Sequence, residues 1–311
     1  MSSRCIRPDG EDALYVSTIE GVASSPSGRM HRLLIEDNDG SVQAYNGLGG
    51  ASVNEFMNPG LPIQAAPTTV RDSLGARWLL FGTGKLLVPG DNALDQQEYF
   101  YGVKEPRGPS GDLTYADVDD DTLIDTTAVA VFEESGEVKD ISSGSTANLS
   151  IGGNAVTTFD GLEKTIRDYP GWKIEMSNTT GVASGRVTNK ATLNPANRKS
   201  FGFTEYLPPA QSCELDGESF LYALSILTGT ATPDAPLSTS NEYIVNTKEM
   251  SQSVLSLGPG YASSITFHQG TTGNVNAITN MSTGAINTTP QAVATPVSGR
   301  QSWRQIESLS F

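Results

Sequence analysis

Four aspartates, Asp117, Asp119, Asp121 and Asp125, stand at positions 1, 3, 5 and 9 of the stretch DVDDDTLID. In an EF-hand-like loop this spacing turns carboxylates inward as the backbone curls, and hard oxygen ligands converge on Ca²⁺. The stretch therefore predicts calcium binding, with these four residues as the metal ligands. Thr122 stands at position 6, where such loops carry glycine. The plainer reading is a solvated acidic connection. Asp37-Asn38-Asp39-Gly40 repeats the composition with too few downstream oxygens for a full shell, and it reads as a hairpin turn.

Gly82-Thr83-Gly84-Lys85 follows an apolar run and ends in lysine, as a phosphate-binding loop does. It lacks the four-residue insert and the following Ser or Thr, and Lys85 leads into Leu86-Leu87-Val88 rather than a helix that could offer its amides to phosphate. A turn in which glycine permits positive φ is expected instead. The two histidines, His31 and His268, lie in strand-like runs without a Ser/His/Asp or HExxH context, so no catalytic residue is assigned. Trp172 and Trp303 read as packing residues. Cys5 and Cys213 match no metal-ligand pattern and are either one disulfide or two thiols.

A formal charge of −15 opposes nucleic-acid and anionic-membrane binding, both of which need a basic face. No stretch approaches the length of apolar chain that spans a bilayer, and MSSRCIRPDGED has no apolar core of a signal peptide.

The elements that must position these residues are strands. Gly 32 and Pro 17 interrupt short apolar runs throughout 311 residues, and no long helical period appears. Strands are predicted at 13–18, 29–35 and 41–45, with a loop over 21–28 and irregular chain over 46–75. Two aromatic-rich runs, 78–81 and 99–103, form a strand pair, and 128–132 with 138–141 form a hairpin. Residues 160–169 predict a helix capped by Asp160 and stopped by Pro170. Runs 172–176, 186–193, 200–206 and 219–227 predict a four-stranded unit, 228–250 a polar linker, and 264–268, 274–278 and 300–306 the last strands. Units of about four strands must close or stack to hide their edges, which favours an all-β, β-propeller fold of antiparallel multi-stranded blades in one domain over 1–311.

Taken in order, PDGEDALYVSTIEG, GRMHRL, WLLFGTGKLL, QEYFYGV, GWKIEM, PPAQSCELDGESFLYALSILTG and GRQSWRQI resemble the propeller of the PilC/PilY family of type IV pilus tip-associated adhesins, across nearly the whole chain. The resemblance implies structural turns at Asp9-Gly10 and at Phe81–Lys85, a following strand at Tyr101-Gly102-Val103, and a closing strand at Ser302-Trp303-Arg304. It also implies that the chain begins inside the propeller, leaving blades incomplete. A calcium loop of the D-x-D-x-D-x-x-x-D type belongs to the same family. At the N-terminus Asp9-Gly10-Glu11-Asp12 would keep only its last ligands. The function implied is a non-enzymatic structural and adhesion module in pilus biogenesis, modulated by Ca²⁺. Its partners would be minor pilins and a host or abiotic surface, at the pilus tip and cell surface or in the outer membrane and periplasm. A quinoprotein-like propeller enzyme and a carbohydrate- or protein-binding propeller unrelated to pili are the alternatives.

Overall fold

Along Ala13–Ser17 buried and half-buried side chains alternate, as a strand with one covered face requires. Arg77–Gly82 is buried at every position, as a strand covered on both faces must be. The computed structural model describes residues 2–5, 13–34, 54–108, 116–133, 135–179, 183–196, 198–209, 217–234, 237, 243–245, 248–270 and 274–291. The predicted strands 41–45 and 300–306, together with Asp9–Asp12, Asp37–Gly40, Cys213 and Trp303, lie outside them.

Among the described residues five sheets have three or more strands, and three further pairs of strands stand apart from them. The first orders Ser2–Cys5, Ala13–Ser17, Met30–Leu34 and Asn54–Met57, all antiparallel. The second orders Ile124–Asp125, Gly171–Glu175, Tyr99–Lys104, Arg77–Gly82 and Thr68–Arg71. Only its Ile124–Asp125 strand pairs in parallel. The third is the meander Val129–Val131, Val138–Asp140, Ala147–Ile151 and Asn154–Val156. The fourth orders Thr192–Leu193, Ser200–Leu207, Glu218–Ser225 and Val254–Pro259, and the fifth Thr266–Gln269, Val275–Asn280 and Ile286–Gln291. The fold is all-β and propeller-like, and among the described residues no sheet closes on itself.

Period-two alternation in Arg77–Gly82 shares the core between neighbours. Leu79 and Phe81 pack with Tyr15, Phe56 and Met57 of the first sheet. Trp78 and Leu80 face the other way, into a cluster with Val138 and Leu149 of the third sheet and Phe201 and Phe203 of the fourth. Phe100 stacks on Phe203 with centroids 3.9 Å apart, tying the second sheet to the fourth. Leu221 and Ala223 pass the core on to Ile265 and Ala277 of the fifth. Trp172 is fully buried and donates through Nε1 to the Ile226 carbonyl at 2.9 Å. Its indole lies between Gly102 and Gly229, where an added Cβ would fall 2.2 and 2.3 Å from ring carbons. The glycines of the Tyr-Gly-Val and Thr-Gly passages are thus the two walls of one tryptophan slot.

Several local expectations change. The 21–28 loop is a hairpin, Glu20–Val22 with Ser25–Ser27. The irregular stretch 46–75 contains Asn54–Met57, which pairs back with Met30–Leu34, and Thr68–Arg71, which forms a hairpin with the next strand, Arg77–Gly82. Helix Phe159–Ile166 starts earlier than predicted, because the Thr158 side chain, not that of Asp160, accepts the Gly161 amide. Gly171–Glu175 belongs to the second sheet, and 186–193 forms only a bridge at Arg186 and the short Thr192–Leu193. The expected four-stranded unit is therefore not 172–227. Its fourth strand is Val254–Pro259, and the stretch read as a linker holds the pair Tyr243–Val245 and Lys248–Met250.

Candidate functional site

The acidic stretch begins at Val118, a buried apolar residue whose amide donates to the Phe56 carbonyl at 2.8 Å. Leu123 is buried in the same cluster. Between these two anchors the chain makes one 3₁₀ turn, Asp120–Thr122, with the Asp119 side chain accepting the Asp121 amide at 3.1 Å. Asp120 Oδ2 pairs with Lys173 Nζ at 2.6 Å, and Asp125 Oδ1 accepts the Thr127 amide at 2.9 Å. Asp117, Asp119, Asp121 and Asp125 are all exposed. The turn ties two of these carboxylates to backbone amides and spreads the set. Among the described residues no group of three His, Cys, Asp or Glu side chains is gathered to hold a metal ion, so these four do not fit a Ca²⁺ shell as placed. A cleft of about 390 Å³ opens beside the loop, and Asp117 and Asp119 share its lining with Lys104 and Arg107.

The Gly-Thr-Gly-Lys turn is placed quite differently. Gly84 has φ 124°, and a Cβ there would meet Arg186 Cβ at 2.6 Å. A Cβ at Gly82 would meet that of Val187 at 2.3 Å. The turn is a flat seat for the segment Arg186-Val187, and the Val187 amide donates to the Thr83 carbonyl at 3.0 Å. Lys85 pairs with Asp91 at 2.9 Å. Burial works to raise the Asp91 carboxyl, but the Leu87 and Val88 amides at 2.7 and 3.0 Å, with Lys85, hold it below the usual carboxylate value. The lysine and all backbone curvature are engaged inside the protein, as expected for a turn and not for a phosphate loop.

Beneath this turn lie charged residues that sequence alone passed over. Glu98 is 2% exposed, and burial pushes its carboxyl up to about 7 against the opposing Thr83 hydroxyl and Arg186 charge. The Arg186 guanidinium donates to the Leu94 carbonyl at 2.8 Å. In the first sheet, fully buried Arg32 donates to Glu105 at 2.7 Å, Tyr15 donates to the other Glu105 oxygen, and Arg77 donates to the Tyr15 hydroxyl at 3.1 Å. Burial pushes the Glu105 carboxyl up, to about 8, even with Arg32 beside it. Glu205 accepts from Tyr222 and from the Ser177 amide and hydroxyl, and burial raises it too. The usable signal was position: Arg32 and Glu205 sit inside apolar strands at inward-facing places. His31 lies 4.0 Å from Glu20, and His268 is exposed in Thr266–Gln269. Trp78 and Trp172, both 0% exposed, offer no open ring face to a stacked ligand.

No protein-family profile matches the chain, and no curated protein matches it in sequence. Among solved structures, the C-terminal domain of PilY1 from Pseudomonas aeruginosa is similar over 91% of this chain, with a TM-score of 0.54 and 16% sequence identity. The chain has the fold of the PilY1 C-terminal domain. It spans 57% of the length of that PilY1 chain. An endo-arabinase from Bacteroides thetaiotaomicron aligns over 94% of this chain and 75% of its own at 8% identity, with a TM-score of only 0.31.

Proposed function

We propose that this chain is a non-enzymatic scaffold and adhesion module of a pilus-associated protein, one propeller-like domain over 1–311. It acts at the pilus tip and cell surface or in the outer membrane and periplasm, and its partners are minor pilins and a host or abiotic surface. The observation that carries this reading is the likeness to the PilY1 C-terminal domain over 91% of the chain. The disposition of its charges supports the same view. Glu98, Glu105 and Glu205, three of the four carboxyls raised by burial, are at most 2% exposed and so lie out of a substrate's reach. Deleting the coding segment in its host and measuring surface piliation and attachment is the test. Loss of both, restored by the wild-type segment, supports the proposal, and unchanged piliation together with unchanged attachment removes it.

Calcium modulation belongs to this proposal through Asp117, Asp119, Asp121 and Asp125. Their exposure leaves the carboxylates accessible, but closing them on one ion requires the 3₁₀ turn at Asp120–Thr122 to rearrange. Ion binding to the folded form alone raises stability by RT ln(1+[Ca]/Kd), so a calcium titration of Tm reads it directly. A rise that disappears in Asp121→Ala supports the role. A flat titration removes calcium from the reading and leaves the scaffold function untouched.

A further inference from the structure

A second cleft, of about 330 Å³, has a charge opposite to that of the molecule. It lies where four segments meet: the end of Thr68–Arg71 and its turn, helix Phe159–Ile166 with Arg167, the turn before Ser200–Leu207, and the end of Glu218–Ser225. Arg71, Arg167, Arg198 and Lys199 line it, against Asp72 and Glu163. Four of the 20 Lys and Arg residues of a chain with net charge −15 thus converge on one small space.

Asp72 is engaged inside the fold. Its Oδ1 accepts the Leu74 and Ala76 amides, both at 2.9 Å, and its Oδ2 accepts Trp78 Nε1 at 3.2 Å and Arg167 Nη1 at 3.1 Å. It fixes the Arg167 guanidinium at the wall of the cleft. On the facing side Arg198 is exposed and takes φ 52°, the positive φ found at no other non-glycine residue among those described. Its amide donates to the Asn194 carbonyl at 3.0 Å, and the Ala196 amide donates to the Asn194 side chain at 3.0 Å, so the turn is wound tightly enough to bring Arg198 and Lys199 to the rim. Glycine would adopt this backbone without strain, yet an arginine stands there. Ile226 and Leu227 complete the lining with an apolar surface.

We propose that this cleft binds a small organic oxyanion, its charged group held by the arginine forks and Lys199 and its hydrocarbon body resting on Ile226 and Leu227. Planar guanidinium groups match carboxylate and phosphate or sulfate oxygens in pairs, and a cleft of this volume suits a sugar acid or sugar phosphate. The ligand must be small. The net charge of −15 repels an extended polyanion before it can dock, while a single residue-sized anion is governed by the local field of the cleft.

Calorimetric titration of the whole chain with glucuronate, glucose 6-phosphate, inorganic phosphate and uncharged glucose tests this. Saturable binding of one or more of the three anions, with none for glucose, is expected. The glucuronate and phosphate arms separate a carboxylate ligand from a phosphoryl one. Arg198→Gly, which relieves the positive φ, should keep or raise Tm while weakening anion binding about tenfold, and Lys199→Gln should weaken it in the same direction. Absence of saturable anion binding up to about 10 mM overturns the proposal, as does affinity unchanged in Arg198→Gly. Piliation and attachment do not enter this experiment, so its failure is separate from failure of the scaffold function.

Discussion

The turn Gly82–Lys85 and the loop Asp117–Asp125 both carry residue types associated with ligand chemistry, and the fold treats them in opposite ways. In the turn, Thr83 is fully buried, Lys85 is paired with Asp91, and Gly84 is pressed against Arg186. In the loop, Val118 and Leu123 are the buried anchors, and the four spaced aspartates face solvent. A motif has chemistry to offer only where packing leaves its polar atoms available. The turn has become structure, while the loop retains accessible carboxylates without a shared focus.

The strongest break of this contrast is Gly84→Ala. Adding a methyl at φ 124°, 2.6 Å from Arg186 Cβ, combines backbone strain with overpacking and should cost about 4 kcal/mol in denaturant unfolding. A cost near zero would mean that the turn is a pliable surface loop after all. Next in size is a pH effect below the same turn. The folded-state carboxyl of Glu98 is raised to about 7, so above about pH 4.5 the folded chain retains a proton that the unfolded chain has released. Stability from this group is fully present below about pH 4.5 and is lost as pH rises to about 7, a change of about 3 kcal/mol. Comparing wild type with Glu98→Gln at pH 5 and pH 7.5 isolates it, and equal slopes for the two proteins would refute the assignment.

Asp91→Ala should cost about 2 kcal/mol, since it removes a buried acceptor of two amides and of Lys85. Circular dichroism melts of that variant, run beside Asp121→Ala in calcium-free buffer, sharpen the comparison most directly. Asp121→Ala should stay within about 0.5 kcal/mol of wild type, as an exposed loop carboxylate without a buried partner should. A large loss there would show that the acidic turn supports the fold no less than the glycine turn does.

Much of the local grammar was readable from the chain. The pair Arg77–Gly82 and Tyr99–Lys104, the hairpin Val129–Val131 with Val138–Asp140, and the long pair Ser200–Leu207 with Glu218–Ser225 all lie within apolar runs bounded by turn residues. Asn54–Met57 and Val254–Pro259 were missed because their local patterns are weak. Phe56 and Met57 are fully buried only through contact with the first two sheets, and Val254–Pro259 is a strand by virtue of pairing with Glu218–Ser225. The assignment of Gly171–Glu175 to the fourth unit failed for a related reason. Adjacency in sequence suggested one partner, but the strand pairs on one side with Tyr99–Lys104, through five register pairs, and on the other with Ile124–Asp125.

The candidate sites divide in the same way. The aspartate spacing at 117–125 was plain in the sequence, whereas the cationic cleft was invisible there. Arg71, Arg167 and Arg198 are separated by roughly the length of the chain between the second and fourth sheets, and no local pattern announces that they meet.

By itself, the sequence determined an all-β, propeller-like chain of short strands, an acidic surface, and a glycine turn that could not be a phosphate loop, because period, turn chemistry and charge are local or additive properties. Only the tertiary structure decided which strands share a sheet, that Gly102 and Gly229 wall in Trp172, that Glu98 is buried beneath the turn, and that the scattered arginines converge. Those outcomes depend on contacts between residues far apart in the chain, where excluded volume and burial act and sequence spacing carries no information.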